Sequence, residues 1–434
     1  MVGMIYLIVS IWGLFSNRAK NSINCFLFSM LLASSIGAYL VGRQHGWDIV
    51  SVLIVVYTSI LLVVLFNSYK RYSMIKEISI DDVCYERFVR YEKYVTYLCV
   101  IALIIEVFVI YRVMGLMLLG MTSANDLHTD EAEQTAIYGS VVPHVFLTIC
   151  NFLSPIGYIM LSLHFYYLVK NNRKKALICL FASLVLALHG LMGFSRSATV
   201  VYLLTYVCIL FYILPLLSKK TKKVLMVIGT FIIGLVFILL LLISNNRFSD
   251  YYTKNSKNDA MLDETRTPVL FSMIDYFSMW NENGIEFIRK RPLGLLYYGW
   301  YNSAGLPEKI LGNSKVHEQR EKEVDEVIES HVGRIWYEFQ GCIARLTYEW
   351  GFLGTAIFIF LFNRVVRYFS PRDGRAIFRD ILCLPILLPM GLTFWCGIGI
   401  GGLAIQMGMV YVFLFYKCIK RKTPKMVRKN GLNT

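Results

Sequence analysis

The chain has 434 residues, of which 56% are hydrophobic and only 17% are charged, whereas a soluble domain carries about 25% charged residues. This composition excludes an ordinary soluble globular protein. Aromatic residues make up 15% of the chain, which excludes an intrinsically disordered one. The net charge of +15 would indicate nucleic-acid binding in a soluble protein. Because most of the basic residues flank apolar runs, we expect membrane lipid, and no nucleic acid, as their partner.

Apolar runs long enough to cross a bilayer recur along the sequence, since a spanning helix needs about 17–25 such residues. The first run lacks a basic segment before it and a small-residue cleavage site after it, so it is interpreted as a membrane anchor and not as a cleaved signal peptide. The sequence predicts eleven spans, at about 2–16, 22–41, 49–66, 94–120, 143–169, 176–193, 198–217, 224–244, 344–362, 381–398 and 401–417.

Basic residues concentrate on one side of these predicted spans. The short segments that would share that side, together with the C-terminal tail, hold 28 of the 44 Lys and Arg residues. By the positive-inside rule this side is cytoplasmic. The prediction is therefore a multi-pass membrane protein with its N-terminus outside the cytoplasm and its C-terminus in the cytoplasm.

One connection is far longer than the others. Residues 245–343 hold 12 basic and 15 acidic residues and would lie outside the cytoplasm, and loops of this length are usually functional. We predict short helices within it, one of them over 271–291, between Pro268 and Pro292. The predicted organisation is thus spans 1–8 over 1–244, a periplasmic loop over 245–343, spans 9–11 over 344–417, and a basic tail over 418–434.

Several arginines fall near the predicted outer face, where they suit a phosphate-bearing ligand because a guanidinium keeps its charge and donates through a planar fork. These candidates are Arg196, Arg266, Arg289, Arg291, Arg334 and Arg345. Other roles remain open for them: Arg196 as a membrane-interface anchor, Arg289 and Arg291 as an exposed helix end, Arg334 and Arg345 as ion-pair partners of Glu338 and Glu349, each four residues later.

Candidates for a general base lie in the same region. His331 is placed in the long loop, three residues before Arg334, and a neutral imidazole could accept a proton from a hydroxyl. An ordinary loop histidine remains the alternative. Glu106 lies inside a predicted span, which makes it a functional candidate unless it pairs with a neighbouring helix. His144, His164 and His189 are interpreted as hydrogen-bonded core residues.

The sequence contains no signature of a metal or nucleotide site. Ten cysteines fall mostly inside the apolar runs, with no CxxC or Cys/His metal spacing, so neither a disulfide nor a metal is expected. There is no Walker A motif, and the glycine-rich run 397–402 joins two predicted spans, where tight helix packing is its expected role. No cofactor is predicted.

Four features, in order, resemble the Wzy family of O-antigen polymerases, which join oligosaccharide repeat units. They are Ser-Arg-Ser at 195–197 opening a span, a short basic turn with one more span before the long loop, Arg-x-Arg-Pro-x-Gly at 289–294, and the acidic-x-Gly-x-x-Gly run 349–354 leading into a span. The resemblance covers about 170–365. Relatives among the O-antigen ligases often carry a His-Asn pair near the start of the last segment, where this chain has Gln340.

The resemblance implies an all-α, GT-C-like membrane glycosyltransferase that works without a metal. At the periplasmic face of the bacterial inner membrane it would move a growing glycan from undecaprenyl pyrophosphate onto a new lipid-linked repeat unit, with a chain-length regulator and a flippase as candidate pathway partners. Arg196, Arg289 and Arg291 would hold the pyrophosphate, with Arg266, Arg334 and Arg345 as further candidates. Because Gln340 departs from the ligase pattern, His331, Glu338 and Glu349 remain candidates for the base. The aromatic stretch 297–301 is expected to face sugar rings or to pack in the core.

Two other functions remain open. An O-antigen ligase would deliver finished glycan to the lipid A core and differs in its acceptor. A flippase or other secondary transporter for lipid-linked oligosaccharides should show paired halves with broken helices, whereas this sequence is asymmetric around one long loop. We therefore expect the polymerase.

Overall fold

The protein is an α-helical, polytopic membrane protein in the computed structural model. The structure describes residues 3–16, 22–42, 48–73, 75–119, 143–192, 196–225, 274–291, 326–327, 329–331, 333, 339–397 and 403–421. Most of these residues are helical. Seven of the helices are long and apolar enough to cross a membrane: Ile23–Val41, Ile49–Arg71, Tyr85–Leu116, Val145–Val169, Arg173–Met192, Ala198–Leu216 and Cys342–Tyr368.

The N-terminal half supplies nine of the helices that we label. They are α1 (Met4–Ser16), α2 (Ile23–Val41), α3 (Ile49–Asn67), α4 (Tyr85–Leu118), α5 (His144–Leu153), α6 (Gly157–Val169), α7 (Arg173–Ser183), α8 (Val185–Met192) and α9 (Arg196–Ile213). A short 3-10 turn over Ser154–Ile156 links α5 to α6. Together these two helices form one predicted span, and α7 with α8 forms the next.

The C-terminal half supplies the rest: α10 (Trp280–Arg289), α11 (Cys342–Tyr368), α12 (Phe378–Leu387), α13 (Pro389–Leu392) and α14 (Leu403–Ile419). Two three-residue strands, β1 (Glu77–Ser79) and β2 (Arg375–Ile377), pair in parallel, with Glu77 opposite Arg375. Helix α10 confirms the helix predicted inside 271–291.

Seven of the predicted spans correspond to the seven long apolar helices, and the spans at 2–16 and 401–417 correspond to the shorter apolar helices Met4–Ser16 and Ala404–Ile419. The span predicted at 381–398 differs. Its helical part ends at Leu392, in α13, and is interrupted at Leu388, between Pro385 inside α12 and Pro389 at the start of α13. Proline lacks the amide hydrogen that a helix interior requires. The span predicted at 224–244 lies outside the described residues after position 225.

One end of the bundle gathers three of the basic segments. The strand pair joins the connection after α3 to the connection after α11. The hydroxyl of Tyr72 donates to the carbonyl of Phe369 at 2.8 Å, and Arg87 donates to the carbonyl of Lys420, also at 2.8 Å. The segments predicted to be cytoplasmic at 67–93, 363–380 and after 417 therefore meet at the same end.

The opposite end is organised by α10, which the long loop of the sequence contributes. The indole Nε1 of Trp280 donates to the hydroxyl oxygen of Ser34 on α2 at 2.7 Å, and that hydroxyl donates to the carbonyl of Phe277 at 3.0 Å. The Trp280 ring also contacts Tyr6 of α1 and Phe394, with ring centroids 5.0 and 5.4 Å apart. This part of the loop therefore packs between the spanning helices.

An ion pair between the half-exposed Lys175 and the buried Glu92 joins α7 to α4 near the first of these ends, and it generates a prediction about stability. Lys175 lies 3.0 Å from Glu92, whose carboxylate also accepts a hydrogen bond from Tyr167 at 2.6 Å. Glu92 is only 6% exposed. Lys175→Met should therefore leave the Glu92 carboxylate buried and charged with fewer partners, and this should lower the free energy of unfolding by about 2 kcal/mol. We expect a lower thermal unfolding midpoint for the detergent-purified protein.

The exposed neighbour Lys174 provides the matched control, and Lys174→Met should leave the midpoint within error. Adding Glu92→Gln to Lys175→Met should restore much of the loss, because the uncompensated charge is gone. Equal midpoints for the Lys174 and Lys175 variants would show that the pair contributes nothing.

Candidate functional site

Arg289 is the last residue of α10. The packing of that helix places the Arg289 side chain near the start of α3. Its guanidinium is 3.6 Å from the carboxylate of Asp48, the N-cap residue of α3, and 3.9 Å from that of Glu286 one turn earlier. The side chain is 46% exposed. The predicted exposed helix end is therefore correct for Arg289, and the residue additionally connects two helices.

Arg291 lies two residues after the end of α10 and contacts α11. Its Nε donates to the backbone carbonyl of Tyr348 at 3.1 Å, and partial burial lowers the pKa of its guanidinium. An arginine remains charged at neutral pH in spite of such a shift, since its ordinary pKa exceeds 12. Arg291 is therefore a partly desolvated, fixed cation next to the first turns of a membrane-spanning helix.

Arg345 lies on the first turn of α11 and is oriented by Gln340. Its Nε donates to the side-chain oxygen of Gln340 at 2.8 Å, and Gln340 itself is only 1% exposed. A methyl group on Gly284 of α10 would come within 2.6 Å of the Gln340 carbonyl oxygen, so the absence of a side chain at Gly284 permits this close approach. Sequence reasoning noted Gln340 only as a departure from a family pattern and missed this contact.

Glu349 is buried on α11, one turn after Arg345, with 3% exposure. Two residues later the helix is broken at Gly351, whose φ of +70° is suited to glycine. The break is stabilised by side chains: Thr355 donates to the Gly351 carbonyl at 2.8 Å, and Tyr57 of α3 donates to that of Phe352 at 2.7 Å. An acid next to a broken spanning helix is typical of functional positions in membrane proteins.

Arg291, Gln340 and Arg345 lie where α10 packs on α11, and Arg289 is the last residue of α10. The ring of Phe287 lies against that of Tyr348, with centroids 4.5 Å apart, in the same region as the Arg291 and Arg345 contacts. We call Arg289, Arg291, Arg345, Gln340 and Glu349 the arginine site. Its members come from two stretches of sequence about fifty residues apart, and it combines fixed cations with one buried carboxylate.

The other predicted site residues are not placed there by the described structure. His331 is exposed, and its Nδ1 donates to the carbonyl of Val327 at 2.7 Å within its own short helical segment. Arg196 is the first residue of α9, but its side chain lies outside the described residues. Three residues, Arg266, Arg334 and Glu338, and the aromatic stretch 297–301 also lie outside them.

Aromatic side chains cover one side of this end of the bundle. Trp395 contacts Phe277 and Phe339, with ring centroids 5.1 and 5.0 Å apart, and Phe339 contacts Tyr276 at 4.5 Å. The sequence offered no signal for this cluster, because it joins three stretches of the chain that are more than 50 residues apart. It fixes the segment that leads into Gln340 and so helps to orient Arg345.

The site can be interpreted only from its own residues, because comparisons with known proteins give no guide. No protein-family model matches the chain, and neither the search of curated proteins nor that of solved structures found a match.

Proposed function

We propose that the protein is a membrane glycosyltransferase that polymerises undecaprenyl-pyrophosphate-linked oligosaccharide repeat units into O-antigen or a related surface polysaccharide. The observation that carries this proposal is the arginine site, in which Arg291 and Arg345 are held by hydrogen bonds at the start of one spanning helix. Guanidinium groups are the side chains best suited to a phosphate, because they keep their charge and donate through a planar fork.

The chemistry of glycosyl transfer from a diphosphate suits fixed cations. As the bond between the sugar and the diphosphate breaks, negative charge develops on the leaving oxygen, and preorganised guanidinium groups stabilise that charge without moving. They can therefore take the part that a divalent metal takes in other transferases. In this proposal Arg289, Arg291 and Arg345 hold the pyrophosphate, and Arg196, Arg266 and Arg334 are further candidates.

The position of the site agrees with a lipid-linked substrate. The arginine site lies at the end of the bundle opposite the strand pair and the basic connections, and its cations border the N-terminal turns of a spanning helix. The polyprenyl tail of a substrate could stay in the membrane while its diphosphate reaches this end. If the basic connections are cytoplasmic, as the positive-inside rule predicts, the site faces the periplasm.

Arg291 gives the most direct prediction. Arg291→Ala should abolish long chains and leave single repeats on lipid A core, since the diphosphate loses a partly desolvated cation, and charge-assisted contacts of this kind contribute about 2–4 kcal/mol to a transition state. The measurement is the glycan ladder on a gel of cells that depend on this gene for polymerisation.

Lys290→Ala is the matched control, because Lys290 is the neighbouring cation and lies 3.9 Å from Glu286 on its own helix. It should leave the ladder unchanged at equal protein level. A normal ladder from Arg291→Ala would remove that residue from the site, and loss of all glycan-bearing lipid A core in a deletion strain, single repeats included, would favour the ligase.

Arg345 tests whether geometry matters beyond charge. Arg345→Lys keeps the positive charge but cannot contact both Gln340 and a phosphate through one planar group. We expect polymerisation at least ten-fold slower than wild type, measured as the rate of consumption of lipid-linked single repeats in membrane vesicles. Gln340→Ala, which frees Arg345 to rotate, should reduce the rate in the same direction. Wild-type rates in both variants would contradict a positioned Arg345.

A further inference from the structure

A partly open cavity of about 320 Å³ lies between the helices, bordered by the α5–α6 junction, α8, α9, the segment 393–397 and α14. This is the size of a small-ligand pocket. Its walls are mostly apolar, and the polar or aromatic side chains among them are Ser154, Tyr158, His189, Tyr202, Thr205 and Thr393. Apolar surface with two tyrosines and scattered hydroxyls suits a sugar ring, which has apolar faces and a polar rim.

The polar side of this cavity contains a carboxylate–histidine pair. The Nδ1 of His189 lies 3.3 Å from Oε1 of Glu106 on α4, and the Ser154 hydroxyl is 2.5 Å from the same carboxylate oxygen. Glu106 is fully buried, and its other oxygen, Oε2, has no hydrogen-bond partner within the part of the chain that is described. A buried acid inside a spanning helix is costly and is usually kept for function.

The Nδ1 of His189 faces both Oε1 of Glu106 and the hydroxyl of Ser154, each at 3.3 Å. With Glu106 ionised, its carboxylate accepts a proton from Nδ1, and Nε2 on the other side of the ring then has the lone pair. His189 lines the cavity and is 27% exposed. The titratable groups around this pair are Cys99 on α4, Cys150 on α5, Tyr158 on α6, Tyr202 on α9 and Cys396.

The cavity shares a wall with the arginine site. Thr393, Cys396 and Gly397 line the cavity. Phe394, within the same segment, accepts a hydrogen bond through its carbonyl from the amide of Cys342 at the start of α11 at 2.8 Å. A ligand in the cavity would therefore lie on one side of this segment, and a diphosphate at the arginine site would lie near the other.

We propose that this cavity receives the acceptor sugar of the polymerisation reaction and that His189, oriented by Glu106, is the general base. The inference rests on the proposed function. It assigns to His189 the role for which the sequence offered His331, Glu338 and Glu349. Glu106 is a positioning residue, because it acts through His189 and touches no substrate.

In one transfer, a hydroxyl of the acceptor sugar loses its proton to Nε2 of His189, and its oxygen forms a bond to the anomeric carbon of the donor. The bond from that carbon to the diphosphate oxygen breaks, and its electron pair leaves with undecaprenyl pyrophosphate. The proton on Nε2 then passes to water or to the departing diphosphate.

The test uses the full-length protein in lipid nanodiscs with an undecaprenyl-diphosphate-linked single repeat as the substrate. General bases contribute about 10²–10⁴-fold, so His189→Gly should slow polymerisation at least hundred-fold, and added imidazole should restore part of the rate in proportion to its concentration. His164→Gly is the matched control, since His164 is a buried histidine bound to the Ala176 carbonyl and Tyr206, outside this cavity. Imidazole should not raise its rate.

Glu106 is tested by separating kcat from KM. Glu106→Gln should lower kcat about ten-fold with KM for the lipid-linked substrate unchanged, and Glu106→Asp should regain part of the loss, whereas a merely structural role would move neither parameter selectively. If His189→Gly does not fold, His189→Gln, which keeps a polar side chain of similar volume, replaces it, and loss of activity is then the expected result.

The outcomes separate the two proposals. Polymerisation by wild-type protein with a normal rate in the His189 variant overturns the cavity as the acceptor site and leaves the proposed function standing. If correctly folded wild-type protein forms no polymer, both the proposed function and the acceptor site are overturned. A slow His189→Gly protein that imidazole does not restore, with His164→Gly slowed equally, assigns His189 a structural role and overturns the proposal.

Discussion

The structure depends on one constraint: polar groups inside a membrane must find partners within the protein, because lipid offers none. The constraint is visible wherever a helix is interrupted. At Gly351 the carbonyls of the broken helix receive hydroxyl donors from Thr355 and Tyr57. At the α5–α6 junction Ser154 connects the helix ends to Glu106 and His189. Each interruption therefore places donors, acceptors and an acid at a defined depth, and these two positions are where the arginine site and the cavity are built.

The two ends of the bundle have different physical roles. At one end, strand pairing and arginine contacts to backbone carbonyls hold together the three basic segments 67–93, 363–380 and the one after 417. At the other end, α10 packs through Trp280 and Phe287 against α2 and α11, and this packing holds Arg291 and Arg345 in place. Fixed cations are more useful to catalysis than mobile ones, because they stabilise developing charge without reorganising. The aromatic packing of α10 is thus the structural basis of the proposed diphosphate site.

Much of this architecture could be predicted from the sequence, because apolar runs of bilayer length and the asymmetry of Lys and Arg are strong local signals. Helix α10 followed from two prolines and a helical pattern. The contact between Arg345 and Gln340 could not be predicted. An ion pair of Arg345 with Glu349 was only one of the roles that the sequence left open. His189 was interpreted as a hydrogen-bonded core residue, and the structure gives it such a contact, but its partner could not be predicted. Its pairing with Glu106 depends on the packing of two helices that lie more than 80 residues apart.

The central claim is that fixed arginines hold a lipid diphosphate as the leaving group of glycosyl transfer. The most direct measurement incubates purified protein in nanodiscs with undecaprenyl-diphosphate-linked single repeats and a chelator of divalent metals, and counts both products. The account predicts one undecaprenyl pyrophosphate released for each glycosidic bond formed, with the release lost in Arg291→Ala. Chain growth that stops when the chelator is added, or that continues unchanged in Arg291→Ala, would contradict it.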